Sequence, residues 1–368
     1  MGNKDSVFVI GGSHHNTLGV VRALGERGYI ITLVVIGTTR EKYVSHSRYV
    51  STCYCLTKVE DLASFLVNNA GDMGGEKEVV VSCSDEVTEH LNNHKNELEG
   101  YYILPGCPKQ SHITYLMDKT IMIKMAKERN LKAPQIWRLP DDFEKICYPC
   151  ITKSFVSSHG GKEDVRIFEN ETSLRAFLDT CQDEIFVQEF IEKKEEVQFI
   201  GCSINGGETI IIPGMTRILR SQPNTNTGYL EYCPIDPFYN ETVNNSKLYI
   251  KDCCYSGLFS IEFLRDKNDH VYFLEINFRN DGNAWCVTAA GVNLPVIWVL
   301  ASQGEAYDSE LQEVRRIKVM PEFQDFKLVL QRKVGLIRWL RDVFRTDSFM
   351  DWNRKDKKPF FSFIFNKI

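Results

Sequence analysis

The sequence predicts an α/β protein built of two or three lobes, and three observations carry that expectation. The chain opens on a β-α-β unit, repeats the strand-helix cycle, and past about residue 112 changes to strands that pair around short loops. Its 368 residues exceed one ordinary core and suit lobes of about 100 to 150 residues each.

The elements follow in order. Apolar residues 7–10 give a first strand, Gly11-Gly12-Ser13 a turn, residues 16–27 a helix and residues 30–36 a second strand, which begins a parallel sheet. Ser13 or Asn16 is expected to cap that helix. Helix 61–69, strand 79–82 and helix 85–98 complete the second cycle, which ends near the turn Pro105-Gly106-Cys107-Pro108. A nicotinamide site would need G-x-G-x-x-G after the first strand, and Gly11-Gly12-Ser13-His14-His15-Asn16 does not supply it. Residues 114–130 read as a helix, and 146–153 and 165–168 as strands around the loop Ser157-Ser158-His159-Gly160-Gly161-Lys162. Helix 172–178 and strands 185–188, 197–203 and 209–215 follow. The domain expectation is therefore 1–112, 113–185, 186–305 and a C-terminal extension, 306–368.

Composition excludes several classes. Hydrophobic residues at 43% and charged residues at 25% exclude a disordered or fibrous chain. A net charge of −5, from 49 acidic against 44 basic side chains, gives no general attraction to nucleic acid. The twelve cysteines read as reduced and cytosolic thiols, and the lone Cys147/Cys150 pair as packing. Apolar residues 287–301, broken by Asn293 and Pro295, are too short to span a bilayer.

The strongest chemical signal is Ser260-Ile261-Glu262-Phe263-Leu264, a polar turn, then Tyr272-Phe273-Leu274-Glu275-Ile276-Asn277. With Asn268-Asp269 as a two-residue turn, Glu262 falls opposite Glu275, and Asn277, Phe273 and Val271 share that face. Like charges directly opposite are destabilising unless a cation sits between them. Two carboxylates and an amide suit Mg²⁺ bridging substrate phosphates, with Mn²⁺ as the alternative ion. Lys153 ends an apolar strand, where an ammonium calls for an anion, and Lys119 begins a helix. The small and glycine residues of the 157–162 loop, Ser158, Gly160 and Gly161 among them, could close backbone amides over phosphate oxygens.

Taken in chain order, these elements resemble the ATP-grasp superfamily, and within it D-aspartate ligase-like carboxylate–amine ligases. The resemblance covers about residues 1 to 300, including Arg22 and Ser47-Arg48-Tyr49 in the opening domain. It implies a Rossmann-like pre-ATP-grasp domain followed by a two-lobed α+β ATP-grasp fold. Lys119 and Lys153 match the nucleotide lysines, and Val187-Gln188-Glu189-Phe190-Ile191 the adenine hinge. By the same resemblance Gln188 faces the adenine edge, the backbone of Glu189 and Ile191 binds the purine, and Glu195 holds the ribose, with Glu196 as its competitor. Glu262, Glu275, Asn277 and Arg279 match the acidic signature, with Phe278 where the family has proline.

The activity this implies is ATP-dependent joining of a small-molecule carboxylate to an amine through an acyl-phosphate, with Arg279 and Arg217 as catalytic candidates. Arg220 is a further candidate for the substrate carboxylate. Competing readings are a kinase or carboxylase-type enzyme and a nucleotide-binding regulatory protein without turnover. A cytoplasmic protein is expected, with a homodimer as the open alternative to a monomer. In the tail, Leu330, Val334, Ile337, Leu340 and Phe344 recur at helical spacing beside Arg332, Lys333, Arg338, Arg341 and Arg345. That helix is expected to pack on the core under an aromatic cover from residues 360–365, rather than to contact a membrane.

Overall fold

The computed structural model describes residues 6–37, 42–70, 77–154, 166–181, 185–221 and 227–365. The first sheet is all parallel: β1 (Ser6–Gly11), β2 (Ile30–Ile36), β3 (Val50–Leu56), β4 (Glu78–Ser82) and β5 (Tyr102–Ile103), in the order β3-β2-β1-β4-β5. Val7, Val9, Val79 and Val80 are fully buried because helices cover both faces, so the central strands read as unbroken apolar runs. Edge strand β3 is mostly exposed and lacks such a run, which hid it in the sequence. The helices here are α1 (His15–Gly25), α2 (Leu62–Asn68), α3 (Asp85–Asn93) and α4 (Lys95–Leu98).

Next come α5 (His112–Leu116) and α6 (Lys119–Glu128), two helices where the sequence suggested one. The break is at Asp118, whose carboxylate accepts the Thr120 and Ile121 amides at 2.7 and 3.1 Å and restarts the helix. A four-stranded sheet follows, β6 (Ile136–Trp137), β7 (Cys150–Ser154), β8 (Arg166–Phe168) and β9 (Ile185–Glu189), ordered β6-β9-β7-β8 and flanked by α7 (Glu171–Leu178).

The large sheet holds β10 (Lys193–Ile204), β11 (Thr209–Ile211), β12 (Met215–Ser221), β13 (Gly228–Cys233), β14 (Gly257–Asp266), β15 (Val271–Asn277), β16 (Ile317–Met320) and β17 (Ser348–Phe349). Its path is β15-β14-β10-β12-β13-β16-β17, with β11 beside β10. Alternation divides its side chains between two cores. Val197, Phe199, Ile261 and Phe263 pack with α6 and α8 (Asn240–Asp252), whereas Ile200, Cys202 and Leu230 join the core of the first sheet. The apolar stretch forms α9 (Trp285–Ala290) and α10 (Leu294–Ser302), which tie the two sheets. Asn293 donates to Ala23 O at 2.8 Å and the Trp298 indole to Val80 O at 3.1 Å. No helix of the described residues is long and apolar enough to cross a membrane. All twelve cysteines are free thiols.

The tail forms α11 (Glu322–Leu330), α12 (Leu336–Phe344) and α13 (Lys358–Phe365), and corrects the expectation of one packed helix. Arg332, at φ 58°, and Gly335 separate α11 from α12, and no residue of α12 is buried. The aromatic residues near 360 cover Phe323, Trp352 and Tyr43 instead. Residues 350–356 are clamped to the first domain. Arg22, fully buried, donates to Asp356 at 3.1 Å and to the carbonyls of Met350 and Asp351 at 3.0 and 2.8 Å. Ser47 Oγ and the Arg48 amide also reach the Asp356 carboxylate, at 2.8 and 2.9 Å.

Candidate active site

The acidic hairpin has the expected pairing, reached by another route. Ser260, Ile261 and Glu262 pair with Asn277, Ile276 and Glu275, but the turn is one residue longer than expected, with Asp269 at φ 67°. A register shift after Glu262 compensates, since Phe263 pairs with Phe273 and leaves Leu274 as the extra residue. The bulge also turns Phe273 and Val271 to the apolar side, where Phe273 lies 5.9 Å from Phe263, centroid to centroid. Their expected place beside the carboxylates is thus corrected. Asn277 Nδ2 lies 3.4 Å from Glu262 Oε1 and 3.3 Å from Ser260 Oγ.

Glu262, Glu275 and Arg279 open into a cavity of about 330 Å³ whose other wall is the first domain: His14, His15 and Asn16 after β1, and Cys83, Ser84 and Asp85 after β4. Strand order reverses between β1 and β4, the crevice where open α/β sheets bind ligands at the carboxyl ends of their strands. Gly11 lets these two ends approach, because a Cβ there would sit 2.7 Å from Cys83 Cβ. His14 caps α1, its Nδ1 accepting the Asn16 amide at 3.2 Å, which replaces the expected Ser13 or Asn16 cap. Asn16 instead donates to Cys83 O and Asn280 O, both at 2.9 Å, and so joins both walls.

Among the described residues, four carboxylates, Asp85, Glu262, Glu275 and Asp281, line the cavity with one guanidinium, Arg279. Arg279 lies 3.1 Å from Asp85 Oδ2 and 3.2 Å from Asp281 Oδ2. Burial works against its charge, yet Asp85, Asp281 and Glu262 together raise its pKa. Burial raises the Asp85 carboxyl despite Arg279, with Glu275 adding to the rise. His14 is pushed down to about 3 by burial and by its neighbours His15 and Arg279, and burial lowers His15 to about 4. Both rings are neutral near pH 7, so the histidines do not offset the excess of negative charge.

The donor set fits a hard cation. No group of three or more His, Cys, Asp and Glu side chains among the described residues could hold an ion alone. Glu262, Glu275 and Asn277 would offer only hard oxygen ligands, which suits Mg²⁺ and not a closed zinc site.

The other candidates separate into three groups. Lys119 begins α6 with its ammonium 5.6 Å from the Phe186 ring centroid, and Lys153 is the backbone partner of Phe186 across β7 and β9. Gln188 is buried in β9, the Glu189 amide donates to Gln135 O at 2.9 Å, and Phe190 and Ile191 form the connection to β10. Ser158, Gly160 and Gly161 lie outside the described residues.

Glu195 and Arg217 meet each other away from the acidic pair. Arg217 is inside β12, not past a strand, because the expected strand 209–215 is split near Pro213-Gly214. It pairs with Val197, whose face is opposite that of Gln198 and Glu262. There Arg217 meets Glu195 at 3.0 Å and Asp236 at 2.5 Å, and Glu195 also accepts from Tyr239 at 2.8 Å. Arg220 is likewise engaged, by Asp325 and Asp342, each at 2.7 Å. Glu196 shares the face of Gln198, which pairs with Glu262, and its Oε1 is buried without a hydrogen-bond partner, as is Gln198 Nε2. Sequence reasoning missed Ser84, Asp85, Asp281 and Asn283. The first two directly follow the strand at the point where sheet order reverses, which is the signal that could have found them.

The acidic hairpin thus faces the point where the strand order of the first parallel sheet reverses. The chain is 21% identical over 327 residues to D-aspartate ligase of Enterococcus faecium, covering 79% of this chain and 75% of that protein. In fold it is similar to N5-carboxyaminoimidazole synthetase of Staphylococcus aureus, with TM-score 0.69, 15% identity and 89% and 85% of the two chains covered. It is also similar to L-amino acid ligase of Bacillus licheniformis, with TM-score 0.63, 16% identity and 86% and 79% covered. No protein-family model matches the chain. These relatives are ATP-grasp superfamily proteins, so the resemblance holds in sequence and in fold.

Proposed function

We propose that the protein is an ATP-dependent ligase that joins a small-molecule carboxylate to an amine, releasing ADP and phosphate. The observation that carries this reading is the Glu262–Glu275 pair with Arg279, at a cavity lined among the described residues by four carboxylates and one guanidinium, with Asn277 Nδ2 3.4 Å from Glu262 Oε1. Glu262, Glu275 and Asn277 would hold Mg²⁺, which supplies charge neutralisation for the nucleotide phosphates. Lys119 and Lys153 bind those phosphates, together with the loop of Ser158, Gly160 and Gly161. The end of β9, Gln188 and Glu189, with Phe190 and Ile191 after it, receives the purine. Glu196 replaces Glu195 as the ribose residue, because its unpartnered Oε1 can accept from a hydroxyl.

The substrate carboxylate attacks the γ-phosphorus, the bond to the bridging oxygen of ADP breaks, and Arg279 stabilises the charge on the transferring group. The amine then attacks the acyl carbon and phosphate leaves. The walls of the first domain restrict water while the acyl-phosphate exists.

A second reading, a carboxylase-type reaction, is favoured by the fold likeness to N5-carboxyaminoimidazole synthetase. Phosphate release from ATP, screened with amino acids, amines and bicarbonate, separates the two. Dependence on an amino acid and an amine supports the ligase, and dependence on bicarbonate alone replaces it. Glu275→Gln and Asn277→Ala should each abolish Mg²⁺-dependent release while the melting temperature stays near wild type. Unaltered release at limiting Mg²⁺ would remove the hairpin from the chemistry.

A further inference from the structure

The nine residues of α12 carry a division of side chains that the proposed chemistry does not use. At about 100° per residue, Leu336, Ile337, Leu340 and Phe344 fall within one arc of the helix, with Arg338 and Arg341 beyond its edge. The helix is held from its inner side: Trp339 packs on Phe326 with centroids 5.0 Å apart, and Asp342 binds Arg220 at 2.7 Å. The apolar arc points outward. Leu336 is 52% exposed, Ile337 85%, Leu340 42% and Phe344 88%, and Leu330 before the helix is 70% exposed. An apolar row of this size left in water marks a contact surface.

Charge identifies its partner. Arg332, Lys333, Arg338, Arg341 and Arg345 are all exposed, while Asp342, the one acidic residue of this stretch, is held by Arg220. A basic, apolar face on a chain of net charge −5 is local, and it is complementary to an anionic surface. A second copy would bring its own cations against these, so self-pairing on this face is opposed. Guanidiniums on flexible stems beside an apolar row match a bilayer boundary, where acyl chains lie beneath a layer of phosphates. A nine-residue helix lies in that boundary and does not cross it.

We propose that α12 docks the protein on an anionic lipid bilayer, with Leu336, Ile337, Leu340 and Phe344 entering the acyl boundary and Arg338, Arg341 and Arg345 meeting lipid phosphates. The docked face connects to the cavity through α11, which touches Trp339 by Phe326 and His15 by Gln324, 3.1 Å from Nδ1.

Flotation of the full chain with vesicles of phosphatidylglycerol and phosphatidylcholine in equal parts, and with phosphatidylcholine alone, tests this. The wild type floats with the anionic vesicles only, and high salt releases it. Ile337→Glu/Phe344→Glu and Arg338→Glu/Arg341→Glu each lower the floated fraction by roughly tenfold or more. All these side chains are exposed, and equal melting temperatures would exclude unfolding as the cause. Wild-type protein remaining with the soluble fraction overturns the proposal, as does unchanged flotation of Ile337→Glu/Phe344→Glu. Sedimentation that shows a concentration-dependent dimer lost in that variant, with no flotation, assigns the face to a second copy and also overturns it.

Discussion

Two ring nitrogens at the cavity wall report on its interior. His14 Nδ1 accepts the Asn16 amide, and His15 Nδ1 lies 3.1 Å from Gln324 Nε2, a bond the neutral ring can accept. Their pKa values, about 3 and about 4, are below the ordinary 6.5. The unfolded chain therefore binds more protons between those values and 6.5, and the stability of the neutral rings, full above about 6.5, is lost as pH falls toward 4 and below. The melting temperature should decline across that window, and His15→Gln, which leaves the ring out, should flatten part of the decline. An unchanged profile in the variant would place the acid sensitivity elsewhere. Arg279 gives a second prediction. Arg279→Lys keeps a positive charge but loses the fork that spans Asp85 and Asp281 at 3.1 and 3.2 Å, so turnover should fall by roughly 100-fold or more. Turnover within a few-fold of wild type would mean that Arg279 only organises the cavity.

Single strands decided which side chains reached the site. The Glu262–Glu275 pairing was legible because alternation at period two places paired residues on one face, yet the three-residue turn and the bulge at Leu274 were not, since their shifts cancel. Arg217 was misread because the strand expected to end at Met215 begins there, and β12 then sends Arg217 toward Glu195 and Asp236. The tail was least legible, because its partners are more than 300 residues away: Arg22 meets Asp356. Within that clamp, Glu322 accepts the amides of Asp351, at 3.3 Å, and Trp352. Burial, and then the Asp351 carboxylate, raise Glu322 to about 8 from 4.5. A raised folded value means that its contribution is fully present below about 4.5 and is lost as pH rises through about 8. Amide exchange at residues 350–356, corrected for its intrinsic pH dependence, should accelerate as pH rises from about 4.5 to about 8 and level off above that. Glu322→Gln should remove that step, and an identical step in the variant would assign it to another group.

At the scale of the whole molecule, the first parallel sheet and the large, mostly antiparallel sheet share one core, and the candidate site lies where their edges of polar residues meet. Asn16 and Asn280 tie these walls across 264 positions of sequence, a contact that local patterning cannot reveal. The α/β class was readable from apolar runs and turns; the cavity was not, because about half of its lining comes from the turns after β1 and β4. The central claim is that a substrate carboxylate is phosphorylated by ATP before the amine attacks. Labelling tests it most directly: ATP, Mg²⁺, the enzyme, amines and a mixture of amino acids carrying ¹⁸O in their carboxylates, with the phosphorus products read by mass spectrometry. The account predicts ADP and inorganic phosphate that has gained one ¹⁸O from the acid, with none formed by Glu275→Gln. Labelled AMP, or phosphate without ¹⁸O during product formation, would contradict it.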